Sequence, residues 1–139
     1  MSADAGRVRE AVTALRDAAR IASNHAHAPY SGFHVGAALR TASGVVHAAC
    51  NMESASYGLT QCAERNALAG AIAAGMKPGE ADVMVVYLPG DEPLPPCGAC
   101  RQVIAELMAP DTLVVSCCDS EATQAWTLDE LLPGPFLGR

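Results

Sequence analysis

The spacing of apolar residues divides the first third of the chain into a helix and a hairpin. Apolar side chains recur every three or four positions in residues 4–22, which predicts an amphipathic helix. Residues 33–41 alternate between apolar and polar or small side chains, which predicts a half-buried strand. A turn at residues 42–44 leads to a second strand over 45–51, so these two strands are expected to pair as a hairpin.

The remainder of the chain alternates helices with short apolar strands. Good helix formers fill residues 62–74 and 97–108, whereas apolar residues run without interruption through 81–88 and 113–115. Uninterrupted apolar runs of this length are typical of strands that are covered on both faces. The pattern therefore predicts the order α-β-β-α-β-α-β, which favours an α/β fold with one sheet between helices.

A short final helix and the length of the chain complete the predicted architecture. Thr127 and Glu130 have the spacing of a capping box, which marks the start of a helix. With 139 residues, half of them hydrophobic, the chain is long enough to bury a core, and we expect a single domain spanning residues 1–139.

Charge and composition exclude several classes of function. The formal net charge is −6, and Lys77 is the only lysine, so a nucleic-acid partner is not expected. Charged residues interrupt the first twenty positions, and no run approaches the roughly 18 apolar residues of a membrane helix, so neither a signal peptide nor a membrane span is expected. We expect a cytoplasmic protein in which Cys50, Cys117 and Cys118 are buried, reduced thiols.

Two short motifs carry the candidate chemistry. Cys97 and Cys100 form a C-x-x-C pair after a proline, and Cys62 lies upstream with Glu64 two positions after it. Three protein ligands with a fourth position left for water are typical of catalytic zinc, whereas structural zinc takes four. A glutamate that moves protons without binding the metal is typical of zinc deaminases. We therefore predict one Zn²⁺ per chain held by the three cysteines, with Glu64 as the general acid–base.

The predicted position of the motifs at helix starts supports metal binding. The first turn of a helix offers unpaired N–H groups and partial positive charge, which lower thiol pKa values and favour thiolate ligands. Three thiolates around Zn²⁺ still leave a net negative charge, and Arg65 is the best candidate to offset it by hydrogen bonding to cysteine sulfur. The four histidines show no ligand spacing towards the cysteines, so structural or solvent-exposed roles are expected for them.

With these motifs in hand, the chain resembles the small homotetrameric cytidine deaminases. The similarity runs from residue 28 to 136 and includes, in order, APYSGFHVGAA, NMESASYG, CAER, PCGACRQ and ELLP. The resemblance implies a three-layer α-β-α fold with a mixed five-stranded sheet. It also implies hydrolysis of cytidine and 2′-deoxycytidine to the uridines with release of ammonia, a reaction of pyrimidine salvage in which Glu64 protonates N3 of the base.

The resemblance further implies roles for residues around the substrate. Asn51 and Glu53 would hold the ribose hydroxyl, Phe33 would pack against the nucleoside, and the Ala63 N–H would donate to the base carbonyl. Three other positions, Ala55, Tyr57 and Phe136, match residues that reach the site of a neighbouring subunit in a homotetramer. Asn66 stands where the family usually has threonine.

Three alternatives remain open from the sequence. One is a deaminase of the same fold that acts on a modified nucleoside such as blasticidin S. Another is a polynucleotide editor, which the acidic charge disfavours. The third is a non-catalytic zinc module, which requires a fourth protein ligand or an inactive carboxylate. Taken singly, Phe33 is more typical of a core position than of a ligand contact, Asn51 is more typical of a turn, and Glu53 of a solvated loop.

Overall fold

The structure, a computed structural model, describes residues 4–138 and forms one sheet with helices on both faces. The ends of the expected 1–139 domain, residues 1–3 and 139, lie outside the described residues. A 3₁₀ turn covers Tyr57–Leu59. The main elements in chain order are α1 (Ala5–Ser23), β1 (Gly36–Thr41), β2 (Val46–Cys50), α2 (Ala63–Ala73), β3 (Ala81–Tyr87), α3 (Gly98–Leu107), β4 (Leu113–Cys117), β5 (Thr123–Thr127) and α4 (Leu128–Leu131).

The sheet is mixed, with strand order β2-β1-β3-β4-β5. The predicted hairpin is confirmed, since β1 and β2 pair antiparallel with Ala37 opposite Ala49. The central strands β3 and β4 pair in parallel, and β1 and β5 flank them in antiparallel orientation. Because parallel strands need a crossover connection, α3 links β3 to β4 and starts at the edge where β3 ends.

Two cores, one on each face of the sheet, hold the layers together. Helix α1 places Leu15 against Val85 on one face, and both side chains are inaccessible to solvent. Leu68 of α2 and Ile104 of α3 pack with Met84 on the other face. Each such side chain contributes about 1.5–3 kcal/mol when fully buried. The apolar run at 81–88 is thus covered on both faces, as its composition predicts.

The interface between α1 and the start of β1 depends on Gly36. A Cβ atom at this position would lie 1.8 Å from the carbonyl oxygen of Ala19 and 2.9 Å from the backbone nitrogen of Ser23. The helix therefore packs backbone against backbone on the strand, which only glycine allows. This contact fixes the segment that leads into β1, where Phe33 and Val35 lie.

Three details differ from the sequence-based expectations. The spacing of apolar residues does not reveal β5, because this edge strand is polar and becomes a strand only through pairing with β4. Cys117 and Cys118 are buried as expected, but Cys50 is only half-buried at the end of an edge strand. The first strand begins at Gly36 rather than at Phe33. Residues 33–35 are held by hydrogen bonds to the Asn51 side chain instead of by the ladder of a neighbouring strand.

The N-terminus of α4 has the predicted capping box, with the Thr127 hydroxyl accepting from the Glu130 N–H and the Glu130 carboxylate accepting from the Thr127 N–H. Within residues 4–138, no helix has both the length and the apolar character that a membrane crossing requires.

Replacing Gly36 by alanine should destabilise the fold by about 3 kcal/mol, because the added methyl overlaps the backbone of α1. Urea denaturation followed by circular dichroism measures the change. Gly70, an exposed glycine inside α2 with no neighbouring atom within 4 Å of an added Cβ, is the matched control. Gly70→Ala should stabilise the protein by about 0.5–1 kcal/mol through helix propensity. Equal effects of the two substitutions would refute the close approach at Gly36.

Candidate active site

Three cysteine sulfurs meet where α2 and α3 begin. Cys62 is the N-cap residue of α2, Cys97 is the N-cap residue of α3, and Cys100 lies in the first turn of α3. The Sγ atoms of Cys62 and Cys97 are 3.8 Å apart, those of Cys97 and Cys100 are 3.4 Å apart, and all three lie within 4.8 Å of one another. Residues far apart in sequence are thus close enough to share one ion.

The cysteine set fits a tetrahedral metal with one position left over. Zinc–sulfur bonds of about 2.3 Å at tetrahedral angles place sulfur atoms about 3.8 Å apart, close to the observed separations. Among the described residues, no histidine, aspartate or glutamate joins the three sulfurs as a fourth ligand. The three-ligand pattern expected from the sequence is therefore present, and the histidines take no part in it.

Hydrogen bonds at the cluster favour a thiolate on Cys62. Donation from Cys100 and from Arg65 lowers the pKa of Cys62 to about 5, even though partial burial acts in the opposite direction. The same bond to Cys62, together with burial, raises the pKa of Cys100. The backbone N–H of Cys100 lies 3.5 Å from the Cys97 sulfur, so the first turn of α3 also directs a donor at the cluster. The surroundings therefore stabilise a thiolate on Cys62, with Cys100 as a hydrogen-bond donor to it.

Arg65 follows Glu64 on α2 and contacts the cluster directly. Its Nη2 donates to the Cys62 Sγ at 3.4 Å, and this bond raises the pKa of the guanidinium. The buried Nε of Arg65 has no hydrogen-bond partner within residues 4–138. The guanidinium is therefore a permanently charged donor next to sulfur, and its buried Nε–H lacks a partner among the described residues.

Glu64 is the second residue of α2 and is only 5% exposed. Burial raises the pKa of its carboxyl above the usual range, and the nearby Cys62 thiolate acts in the same direction. Glu64 and Cys62 line the same cavity, but the carboxylate is not a member of the sulfur group. A carboxyl group with a raised pKa next to a metal position can hold a proton and release it again.

The cavity beside Glu64 has a volume of about 280 Å³, near the lower end of ligand pockets. Its polar groups are two carboxyls, two side-chain amides, one hydroxyl and the Cys62 sulfur, and within the described residues no lysine or arginine lines it. Its lining consists of Phe33, Val35, Asn51, Glu53, Thr60, Gln61, Cys62, Glu64, Val86, Leu88, Leu94 and Pro95.

Asn51 and Glu53 lie in this lining and also hold its loops in place. Asn51 accepts from the Val35 N–H at 2.9 Å and donates to the Phe33 carbonyl at 2.8 Å. Glu53 accepts from the N–H groups of Tyr30 and Ser31 and from the Ser31 hydroxyl, and these bonds lower the pKa of its carboxyl. Glu53 is therefore an ionised group in the cavity lining.

The other residues expected at the substrate fall into two groups. Phe33 lines the cavity with 39% of its surface exposed, and Ala63 is fully buried at the first position of α2, where a backbone N–H has no acceptor within the helix. By contrast, Ala55, Tyr57 and Phe136 lie outside the cavity of their own chain. Tyr57 is 78% exposed and Phe136 is 75% exposed, which is unusual for large apolar side chains.

Sequence reasoning missed several walls of the cavity, including Gln61, Leu94 and Pro95. Proximity in the chain offered a signal, because Gln61 directly precedes Cys62 and the pair at 94–95 comes shortly before Cys97. Asn66 donates to the Cys50 carbonyl at 2.9 Å, so its side chain ties α2 to the end of β2.

Comparison with known proteins places these features in a family. Residues 9–117 match the family model described as the cytidine and deoxycytidylate deaminase zinc-binding region. A cytidine deaminase from Halalkalibacterium halodurans is 49% identical over 113 residues, which cover 80% of this chain and 83% of that protein. A blasticidin-S deaminase from Bacillus cereus is 34% identical over 106 residues, covering 72% of this chain and 74% of that protein.

Solved structures agree with the assignment from sequence. The crystal structure of cytidine deaminase from Burkholderia pseudomallei superposes with a TM-score of 0.85 and 48% sequence identity, covering 89% of this chain and 98% of that one. The mixed five-stranded sheet is thus shared with that structure, and residues 9–117, which include Cys62, Cys97 and Cys100, match a zinc-binding region. The chain therefore belongs to the cytidine and deoxycytidylate deaminase family.

Proposed function

We propose that the protein is a zinc-dependent hydrolase that converts cytidine and 2′-deoxycytidine to uridine and 2′-deoxyuridine with release of ammonia. One observation carries the proposal. The buried Glu64 carboxyl shares a cavity with Cys62, whose sulfur is one of three that fit a metal with a fourth position left over. The relatives named cytidine deaminase support the choice of substrate.

In this proposal the catalytic zinc is held by Cys62, Cys97 and Cys100. When bound, zinc lowers the pKa of a coordinated water towards about 7 and so supplies a nucleophile at neutral pH. Glu64 accepts a proton at its carboxylate, transfers it to N3 of the pyrimidine and later assists departure of the amine as ammonia. Its raised pKa suits both directions of transfer, because the acid and base forms are then closer in free energy near neutral pH.

The sugar end of the cavity is assigned to Asn51 and Glu53. Asn51 uses one amide hydrogen for the Phe33 carbonyl, which leaves the second hydrogen for a ribose hydroxyl. The Glu53 carboxylate accepts three hydrogen bonds from residues 30–31 and can accept a fourth from the sugar. Phe33 forms an apolar wall, and the Ala63 N–H at the start of α2 is assigned to the base carbonyl.

The charge of the cavity favours nucleosides over two of the alternative substrates. Glu53 is ionised, and no cation within residues 4–138 lines the cavity, so a phosphate on deoxycytidylate would face a carboxylate without compensation. The same charge disfavours a polynucleotide.

Blasticidin S remains the second candidate substrate, because a deaminase of that name is 34% identical to this chain. A non-catalytic zinc module lacks support, since no fourth ligand is found among the described residues.

We further propose that the chain is a single domain and assembles as a homotetramer in which Ala55, Tyr57 and Phe136 complete the site of a neighbour. Large apolar side chains that remain exposed on one chain support this arrangement, because burial against a second copy would remove them from water.

We propose a cytoplasmic location on the basis of the cysteines. None of the six cysteines forms a disulfide, as is usual in reducing compartments.

Glu64→Gln should reduce turnover of cytidine by a factor of about 10³ or more, because the amide keeps the shape of the side chain but cannot transfer a proton. Loss of absorbance as cytidine becomes uridine measures the rate, and metal analysis should find the zinc content unchanged. Glu121→Gln, at an exposed position outside the cavity, is the control and should retain full activity.

A panel of substrates separates the candidate functions in the same assay. Cytidine and 2′-deoxycytidine should be turned over, deoxycytidylate should show kcat/KM lower by about 100-fold or more because of charge repulsion, and a chelator should abolish the activity. Preference for blasticidin S would select the second candidate, and full activity of Glu64→Gln would remove the carboxylate from the mechanism.

Arg65→Gln should leave the fold intact but lower turnover or zinc occupancy. The neutral amide cannot offset the charge of the thiolates, so the pKa of Cys62 should rise from its value of about 5. Zinc content and kcat measured on the same sample test this effect, and Arg65→Lys, which keeps the positive charge, should lose less than Arg65→Gln. Wild-type zinc content together with wild-type kcat in Arg65→Gln would exclude Arg65 from the mechanism.

Sharing of the site between subunits can be tested by complementation. Phe136→Ala should raise KM for cytidine, since the neighbour's site loses an apolar wall. Co-expression of Phe136→Ala with Glu64→Gln should create sites that combine an intact Glu64 from one chain with an intact Phe136 from the other. Specific activity above the average of the two variants supports the shared site, whereas the plain average contradicts it.

A further inference from the structure

The segment from Pro89 to Pro96 forms one wall of the cavity. It connects β3 to the metal ligand Cys97, and Leu94 and Pro95 are the residues in it that line the cavity. Four of its eight residues are prolines, each of which has a fixed φ and restricts the residue before it to extended conformations. Residues 89–96 therefore form a stiff segment, the proline-rich strut. A shift at one end of this strut moves Leu94 and Pro95.

The middle of this strut has no hydrogen-bonded support. Within the described part of the chain, residues 92–95 neither donate nor accept a hydrogen bond. The metal-side end is fixed at Pro96, whose carbonyl accepts from Arg101 Nε at 2.8 Å. The position of Leu94 and Pro95 therefore depends on how the other end of the strut is held.

The other end is held by the loop between β4 and β5. The Asp119 carboxylate accepts from the Gly90 N–H at 3.0 Å, and the Asp119 N–H donates to the Gly90 carbonyl at 2.9 Å. The Ser120 hydroxyl donates to the Asp91 carbonyl at 2.8 Å. Two adjacent residues thus make three bonds to the start of the strut, although they lie about thirty positions away in sequence.

The Asp119 carboxylate is itself held in place by Tyr87. The Tyr87 hydroxyl donates to the other oxygen of its carboxylate, and this bond and the one from Gly90 lower the pKa of Asp119. The Tyr87 ring is buried at the end of β3, with the guanidinium of Arg16 5.9 Å from its centre. Arg16 also donates to the Cys118 carbonyl at 2.6 Å. An ionised carboxylate held in this way makes strong, directional hydrogen bonds.

We propose that Asp119 is a positioning residue for the nucleoside site. It acts through Gly90 and the proline-rich strut, and it keeps Leu94 and Pro95 at the correct distance from the bound nucleoside. Asp119 itself touches neither the cavity nor the sulfur cluster. The proposal rests on the nucleoside deaminase function proposed above, and it adds a residue on the far side of the strut to the determinants of substrate binding.

Asp119→Ala should raise KM for cytidine about tenfold or more, within the range that ångström-scale misplacement costs. The change in kcat should be smaller, because a displaced apolar wall weakens binding of substrate and transition state alike. Zinc content should stay at the wild-type value. Ser120→Ala removes the bond to Asp91 together with the local contacts of the hydroxyl to the Ala122 N–H and the Cys118 sulfur, and it leaves both Asp119–Gly90 bonds in place. It should give a smaller rise in KM and keeps the proposal testable if Asp119→Ala does not fold.

Two matched variants separate positioning from general effects. Glu121→Ala removes a negative charge from the same loop, and its exposed side chain makes no hydrogen bond within residues 4–138, so KM should not change. Tyr87→Phe removes the second partner of Asp119 but keeps the bond to Gly90, so it should lower the melting temperature with less than a twofold change in KM.

A double-mutant cycle with Leu94→Ala gives the decisive readout. If Asp119 acts through the wall, Asp119→Ala should add little to KM once Leu94 has been truncated. Fully additive effects would overturn the proposal, as would a lower melting temperature of Asp119→Ala with an unchanged KM. Failure of the wild-type protein to deaminate cytidine would instead refute the proposed function, so the two outcomes remain distinguishable.

Discussion

The structure depends on the convergence of two helix N-termini at one edge of a sheet. Cys62 and Cys97 cap α2 and α3, and Cys100 lies within the first turn of α3. Parallel pairing of β3 with β4 requires α3 to start where β3 ends, and packing of Leu68 in the same core as Ile104 brings the start of α2 alongside. Helix N-termini favour thiolates, so the fold provides both the position and the charge of the ligands.

Burial of Glu64 is the main electrostatic cost of this arrangement. An ionised carboxylate in an apolar surrounding is disfavoured, and this raises its pKa in the folded state. The cost is therefore absent below the ordinary carboxyl pKa and is incurred in full once the pH exceeds the raised value. The first turn of α2 offsets part of it by favouring negative charge. A group whose two protonation states are balanced in this way is suited to proton transfer, so stability and chemistry oppose each other at this residue.

The cavity is assembled from loops that are held by side chains rather than by strand ladders. Asn51 replaces ladder bonds next to Phe33, and Glu53 fixes the turn at residues 30–31. The wall with Leu94 is a proline-rich strut whose support lies in the loop after β4. Apolar spacing predicts none of these contacts, because each depends on a polar side chain reaching a backbone group far away in the chain. The same limit explains why the polar edge strand β5 escaped prediction.

The sequence by itself determined the helices, the hairpin, the buried central strands and the three cysteines with their neighbouring glutamate. Periodic apolar residues and closely spaced motifs encode these features locally. Only the tertiary structure decided that the sulfurs lie within 4.8 Å of one another, that Glu64 is buried, and that Tyr57 and Phe136 remain exposed on a single chain. Distances between remote residues follow from strand order and helix packing, which no local pattern specifies. That is why the sequence revealed the metal ligands, Glu64 and part of the cavity lining, whereas the walls at Gln61, Leu94 and Pro95 emerged only from the structure.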